Sequence, residues 1–170
     1  MRTLAVSVLL ASQLMIEARW SAQAPQAESN LATAVCDFDD GQEVSVRYKD
    51  TVASAKDEPH NGKVWLPGGL PMTLFTNTAL TLNHATISPG AYSMYVIPNR
   101  KEWTLIVNRN VAPGAAYDEK QDVARSPMEL GEIDYPPRQL QVSFAHVAPK
   151  QCSIRLYYGK IGAFTEFLEK

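Results

Sequence analysis

Residues 88–110, SPGAYSMYVIPNRKEWTLIVNRN, constrain the fold more than any other part of the chain. Residues 91–97 alternate, with Tyr92, Met94 and Val96 on one face and Ser93 and Tyr95 on the other. Residues 103–107 are almost wholly apolar and follow a short polar turn. Period-two alternation bounded by Pro89-Gly90 and Pro98-Asn99 predicts two strands of a hairpin. A chain carrying this block commits to a sheet.

The same reading extends along the chain. Residues 35–38 and 42–48 form an expected hairpin across Asp39-Asp40-Gly41, a turn sequence that supplies positive φ at little cost. Short strands are expected at 64–66, 72–76, 79–82 and 85–87, then around Leu140, Val142 and Phe144, along Cys152, Ile154, Leu156 and Tyr158, and at 163–168. Residues 49–63 and 112–137 are charged and turn-rich and read as loops, the second holding at most one helical turn. About eight to ten short strands without an amphipathic helix predict one all-β domain, an antiparallel β-sandwich or jelly-roll-like barrel. The long 111–138 connection suits a Greek key better than a meander.

The first residues predict export. Met1-Arg2 gives a positive start, residues 4–11 are apolar apart from Ser7, and Ala22-Gln23-Ala24 offers a small-x-small cleavage site. Gln13 and Glu17 interrupt the apolar run, which falls short of the about 20 residues a membrane-spanning helix needs. The expected organisation is a signal peptide over residues 1–24, a disordered lead-in over 25–34 and a β-sandwich domain over 35–170. Cleavage leaves 146 of the 170 residues, enough for a hydrophobic core without metal support. Formal charge is −2, and losing Arg2, Arg19 and Glu17 with the leader makes it −3. No basic run invites nucleic acid, and no second apolar stretch reaches bilayer length, so no membrane span is expected in the mature chain.

Cys36 and Cys152 are the two cysteines. In an oxidising compartment a pair favours a disulfide. A metal pair is poorly supported, because the chain holds no CxxC or Cys-x-His spacing. His60, His84 and His146 are scattered, there is no Gly-x-Ser-x-Gly elbow, and adjacent acids such as Asp39-Asp40 and Asp118-Glu119 stand in turns. No cofactor is implied. The strongest polar constellation is Tyr117, Asp118, Asp122 and Arg125 in the expected 112–137 loop. There Arg125 can pair with Asp122 or Asp118 and pin the crossover to the sheet, since a guanidinium fork matches a carboxylate. The same loop can instead wall a ligand cleft, with His146 as a further candidate. Tyr95 and Tyr157 fall opposite the core rows, and exposed aromatics on one sheet face bind sugars or protein partners.

Taken together, Gly62-Lys63-Val64-Trp65, Gly68, Thr73, Ser88-Pro89-Gly90-Ala91-Tyr92-Ser93 and Ile97-Pro98 resemble a known family. So do Trp103-Thr104-x-Ile106-x-Asn108, Ala116-Tyr117-Asp118 and Asp122-Val123-Ala124-Arg125. It is the bacterial secreted domain-of-unknown-function family 2911, matched over residues 35–170. The resemblance implies a small exported β-sandwich and no particular activity. Members typically follow Val-Trp with Arg and then Gly-Ala-Asn-Glu; here Leu66-Pro67-Gly68-Gly69-Leu70-Pro71-Met72-Thr73 stands there, without Arg, Asn or Glu. The basic segment that usually precedes it is replaced by residues 51–61. The reading favoured by these observations is a secreted or periplasmic, non-enzymatic β-sandwich that binds a protein partner or a small ligand. Two others remain open: a hydrolase or metal-dependent enzyme with a cleft near the Asp118–Arg125 loop, and a structural subunit of an extracellular assembly; a homo-oligomer is open as well.

Overall fold

Alternating side chains dictate strands, and the turns between them dictate which strands pair. In the computed structural model, which describes residues 31–53 and 58–170, strands are β1 (Leu31–Asp37), β2 (Glu43–Lys49), β3 (Met72–Thr76), β4 (Leu80–Leu82) and β5 (Ala85–Ile87). They continue with β6 (Gly90–Ile97), β7 (Trp103–Asn108), β8 (Asp122–Glu132), β9 (Gln141–Ala148), β10 (Gln151–Tyr158) and β11 (Ile161–Glu169). The expected signal peptide lies outside the described residues. β1 opens at Leu31, so residues 31–34 of the expected lead-in are strand, with Ala34 in the core.

Two hairpins show local sequence at work. Between β1 and β2, Gly41 takes φ 85°, the Phe38 amide donates to Gln42 O at 2.8 Å, and Asp40 Oδ1 accepts from the Gln42 amide. Between β4 and β5, both turn residues are left-handed, Asn83 at φ 43° and His84 at φ 69°. That is the primed turn whose twist matches two flanking strands.

The strands form one antiparallel sheet in the order β1-β2-β3-β6-β7-β8-β11-β10-β9, with the β4–β5 hairpin attached to the end of β11. β8, β11, β10 and β9 trace a Greek key read in reverse chain order. The sheet curls until it is nearly a closed barrel. Its terminal strands β1 and β9 lie against each other, and the Asp39 amide donates to Pro149 O at 3.1 Å. A short bridge joins Val52 to Gln139. The Cys36–Cys152 disulfide fastens β1 to β10 across this closure, with Cα atoms 6.4 Å apart. No helix among the described residues is long and apolar enough to cross a membrane.

The inner faces fill the barrel with Val44, Val46, Leu74, Met94, Leu105, Ile154, Leu156 and Phe167, all at most 1% exposed. Trp65 packs edge-on to both Trp103 and Tyr158, at centroid distances of 5.5 and 4.9 Å. The expected 64–66 strand is only a single bridge between Trp65 and Val96. Behind it, residues 67–69 make a 3-10 turn. Gly68 there takes φ 80°, and a Cβ on it would stand 2.9 Å from Lys49 O.

The largest correction is β8, an eleven-residue strand inside the expected 112–137 loop. Its inward residues Ala124, Ser126 and Met128 are small or mixed in polarity, and Pro127 breaks the usual strand signature. Pro127 is tolerated because β11 pairs with β8 only from Glu129 onward, leaving the Pro127 stretch with β7 alone. Where β8 and β11 part, Ser126 Oγ meets Thr165 Oγ1 at 2.8 Å.

Candidate functional site

The Tyr117–Arg125 constellation sits on the outside of the sheet, and the strand register explains how. Tyr95 pairs with Ile106, and Ile106 with Arg125, so one row crosses β6, β7 and β8 on the outer face. The next row joins Ser93 to Asn108. Residues 109–121 fold back over these rows, and the Tyr117 ring lands edge-on against Tyr95 with centroids 5.0 Å apart. Tyr95 is therefore 2% exposed and Ile106 fully buried. This corrects the expectation of an exposed Tyr95: the residue is on the outer face, as the alternation puts it, but the loop covers that face.

The polar groups of this cover are spent on one another. Asp122 Oδ2 accepts from the Tyr117 hydroxyl at 2.8 Å and from Arg125 Nε at 2.7 Å. Asp122 Oδ1 accepts from Asn108 Nδ2 at 2.7 Å. Arg125 Nη2 donates to Tyr117 Oη at 2.7 Å and to Glu119 Oε1 at 2.9 Å. Asp118 holds the 3-10 turn of residues 119–121, its side chain accepting from the Lys120 amide at 3.0 Å, while its carbonyl accepts from Asn108 Nδ2. Asn108, with no exposed surface, is the hub that the sequence did not single out as a site residue. A polar side chain at the end of an apolar strand was the available signal.

Burial and the neighbouring Asp122 carboxylate push the Tyr117 phenol up to about 12, so it stays protonated and donating. Burial opposes the Arg125 charge, but the Asp122 hydrogen bond together with the attraction of Tyr117, Asp122 and Glu119 outweighs it and raises the guanidinium above its ordinary value. Both Asp122 oxygens accept from within the network, and the Tyr117 phenol is held as a donor. The geometry is a buckle holding a long loop on a sheet.

His146 stands apart from the buckle. It sits on β9 with Nε2 3.3 Å from Asp39 Oδ1, and both groups are exposed. It thus belongs to the seam between β1 and β9, beside the Asp39–Pro149 hydrogen bond. His84 lies in the β4–β5 turn, and His60 Nδ1 meets Glu58 O at 2.8 Å. Among the described residues no cluster of three His, Cys, Asp or Glu side chains could hold a metal.

A second feature is a groove of about 320 Å³ on the outer face of β10 and β11. Ser153, Arg155 and Tyr157 alternate outward along β10, opposite Glu166, Phe164 and Gly162 of β11. Ile133, Glu132 and Val147 complete its walls. Tyr157 is the outer-face aromatic that the alternation did identify. Arg155 and Phe164 were not singled out, because each looks ordinary alone and only the register sets them side by side.

The family model for the protein family of unknown function DUF2911 matches residues 29–166, and the chain belongs to that family. The match runs from just before β1 into β11. No curated protein and no solved structure matches the chain.

Proposed function

We propose that this member of the DUF2911 family is an exported, non-enzymatic β protein that binds a small ligand on the outer face of β10 and β11. The observation that carries this reading is the groove itself. It is a concave surface of about 320 Å³ with aromatic and aliphatic walls and a few charged groups, the composition of small-molecule sites. Arg155 is exposed and makes no ion pair among the described residues, so its donors remain for an incoming group. The buckle around Asp122, by contrast, has its hydrogen bonds filled from within.

Export rests on the leader-like residues 1–24 and agrees with a disulfide that a reducing cytosol would not keep. The stretch in which members carry Arg and Gly-Ala-Asn-Glu is here the turn of residues 67–69 and its flanks, with Pro67 and Gly68 buried. The loss of those polar residues speaks against a ligand site at that stretch and supports one in the groove.

The test is native mass spectrometry of the mature protein purified from the exported fraction of its own host. A retained small molecule whose mass is lost in Tyr157→Ala supports the reading. A retained molecule unaffected by Tyr157→Ala moves the site elsewhere. A bare monomer that stays bare when incubated with host extract removes small-ligand binding, and a defined oligomer favours the assembly role.

A further inference from the structure

The lining of the β10–β11 groove narrows the ligand to a chemical class, an inference that rests on the groove being a binding site. Tyr157 packs over the β11 backbone at Gly162: a Cβ there would lie 3.3 Å from Cδ1 and Cε1 of the ring. The absent side chain lets the ring settle there, so the ring is held in place before anything binds. Phe164, 37% exposed, stands across from Arg155 and diagonal to Tyr157 on the same face. Two rings and a guanidinium thus share one outer surface. Ser153, 3% exposed, forms part of the floor.

The charges decide what such a surface accepts. Glu132 and Glu166 face the groove with Arg155, two carboxylates to one guanidinium. The Glu166 carboxylate is already oriented by a hydrogen bond from Gln151 Nε2. An anion meets net repulsion from the two carboxylates, and a cation that they attract would leave the Arg155 donors without an acceptor. A neutral polyol fits every group: planar guanidinium and carboxylate grip adjacent hydroxyls in pairs, and aromatic rings take the apolar C–H surface of a sugar ring. From Ser153 to Tyr157 the floor of the groove runs about 13 Å along β10, longer than a single sugar ring. We infer that the groove binds a neutral oligosaccharide.

The experiment is an amide-shift titration of the ¹⁵N-labelled mature protein. One panel holds neutral glucose-, mannose- and N-acetylglucosamine-based oligosaccharides; a second holds carboxylates and amines of similar size. The expected result is saccharide-dependent shifts confined to residues 153–157 and 161–166. Tyr157→Ala and Phe164→Ala should each weaken binding by about tenfold, with the rest of the spectrum unchanged. Shifts at these amides from carboxylates or amines alone would overturn the saccharide class and leave the site standing. No shift at these amides from either panel would overturn the site as well.

Discussion

Replacing Asp122 by Asn keeps the shape of the buckle and removes its logic. One carboxylate oxygen accepts from Tyr117 and Arg125, and the other accepts from Asn108, on a side chain only 11% exposed. Asparagine offers one acceptor oxygen, so in either orientation its NH₂ confronts a donor. Facing Asn108, it sets amide against amide; facing the other way, it sets amide against the phenol and the guanidinium. Leaving a buried donor unmatched costs about 1–3 kcal/mol. The lost ion pair adds under about 1 kcal/mol, because Arg125 is 38% exposed and screened by water. The expected loss is about 1–4 kcal/mol, read as a lower midpoint in urea and a Tm lower by roughly 10 °C. Because Tyr117 covers Tyr95, hydrogen exchange in residues 115–121 should accelerate in the same variant while β10 and β11 keep their protection. A loss below about 0.5 kcal/mol, the size of ordinary surface substitutions, would refute the buckle and return the cluster to candidacy as a ligand site.

Three other outcomes are expected. Removing the disulfide with paired Cys36→Ala and Cys152→Ala changes should cost up to about 4.8 kcal/mol from the 116-residue separation, measured by thermal unfolding beside oxidised wild type; an equal Tm would contradict the bond's role in closure. The Tyr117 phenol is raised from 10.0 to about 12 in the folded protein, so its stabilising contribution is complete below pH 10 and lost as pH rises through about 12. Comparing alkaline unfolding of wild type with Tyr117→Phe isolates that loss, and identical profiles would contradict it. Gly68→Ala should destabilise by about 2 kcal/mol or more, because left-handed φ and the 2.9 Å approach to Lys49 O act together. Gly69→Ala, with φ 77° and open space around its Cβ, should cost only about 1 kcal/mol, and equal losses for the two would remove the close approach from this account.

Some of this was written plainly in the chain. The 88–110 block became β6 and β7, and the Asp-Gly turn became the β1–β2 hairpin, because alternation and turn chemistry are properties of a few neighbouring residues. Tyr117, Asp118, Asp122 and Arg125 were close enough in sequence to be grouped, and three of them do bond together. β8 escaped notice because its inward row relies on Ala124 and Ser126, whose burial comes from neighbouring strands rather than from their own hydrophobicity. Asn108 escaped because its hydrogen-bond partners arrive from the following loop and the start of β8.

The sequence by itself therefore determined the all-β class, most strand positions, the faces of those strands and the availability of one cysteine pair. Those outcomes depend on periodicity, which a chain carries in one dimension. Only the tertiary structure decided that the sheet curls nearly shut, that Tyr95 is sealed beneath Tyr117, and that His146 belongs to the β1–β9 seam. It also decided that Arg155, Tyr157 and Phe164 share one groove. These depend on strand order and register, which bring together residues far apart in the chain, and a one-residue slip would send every such side chain to the opposite face.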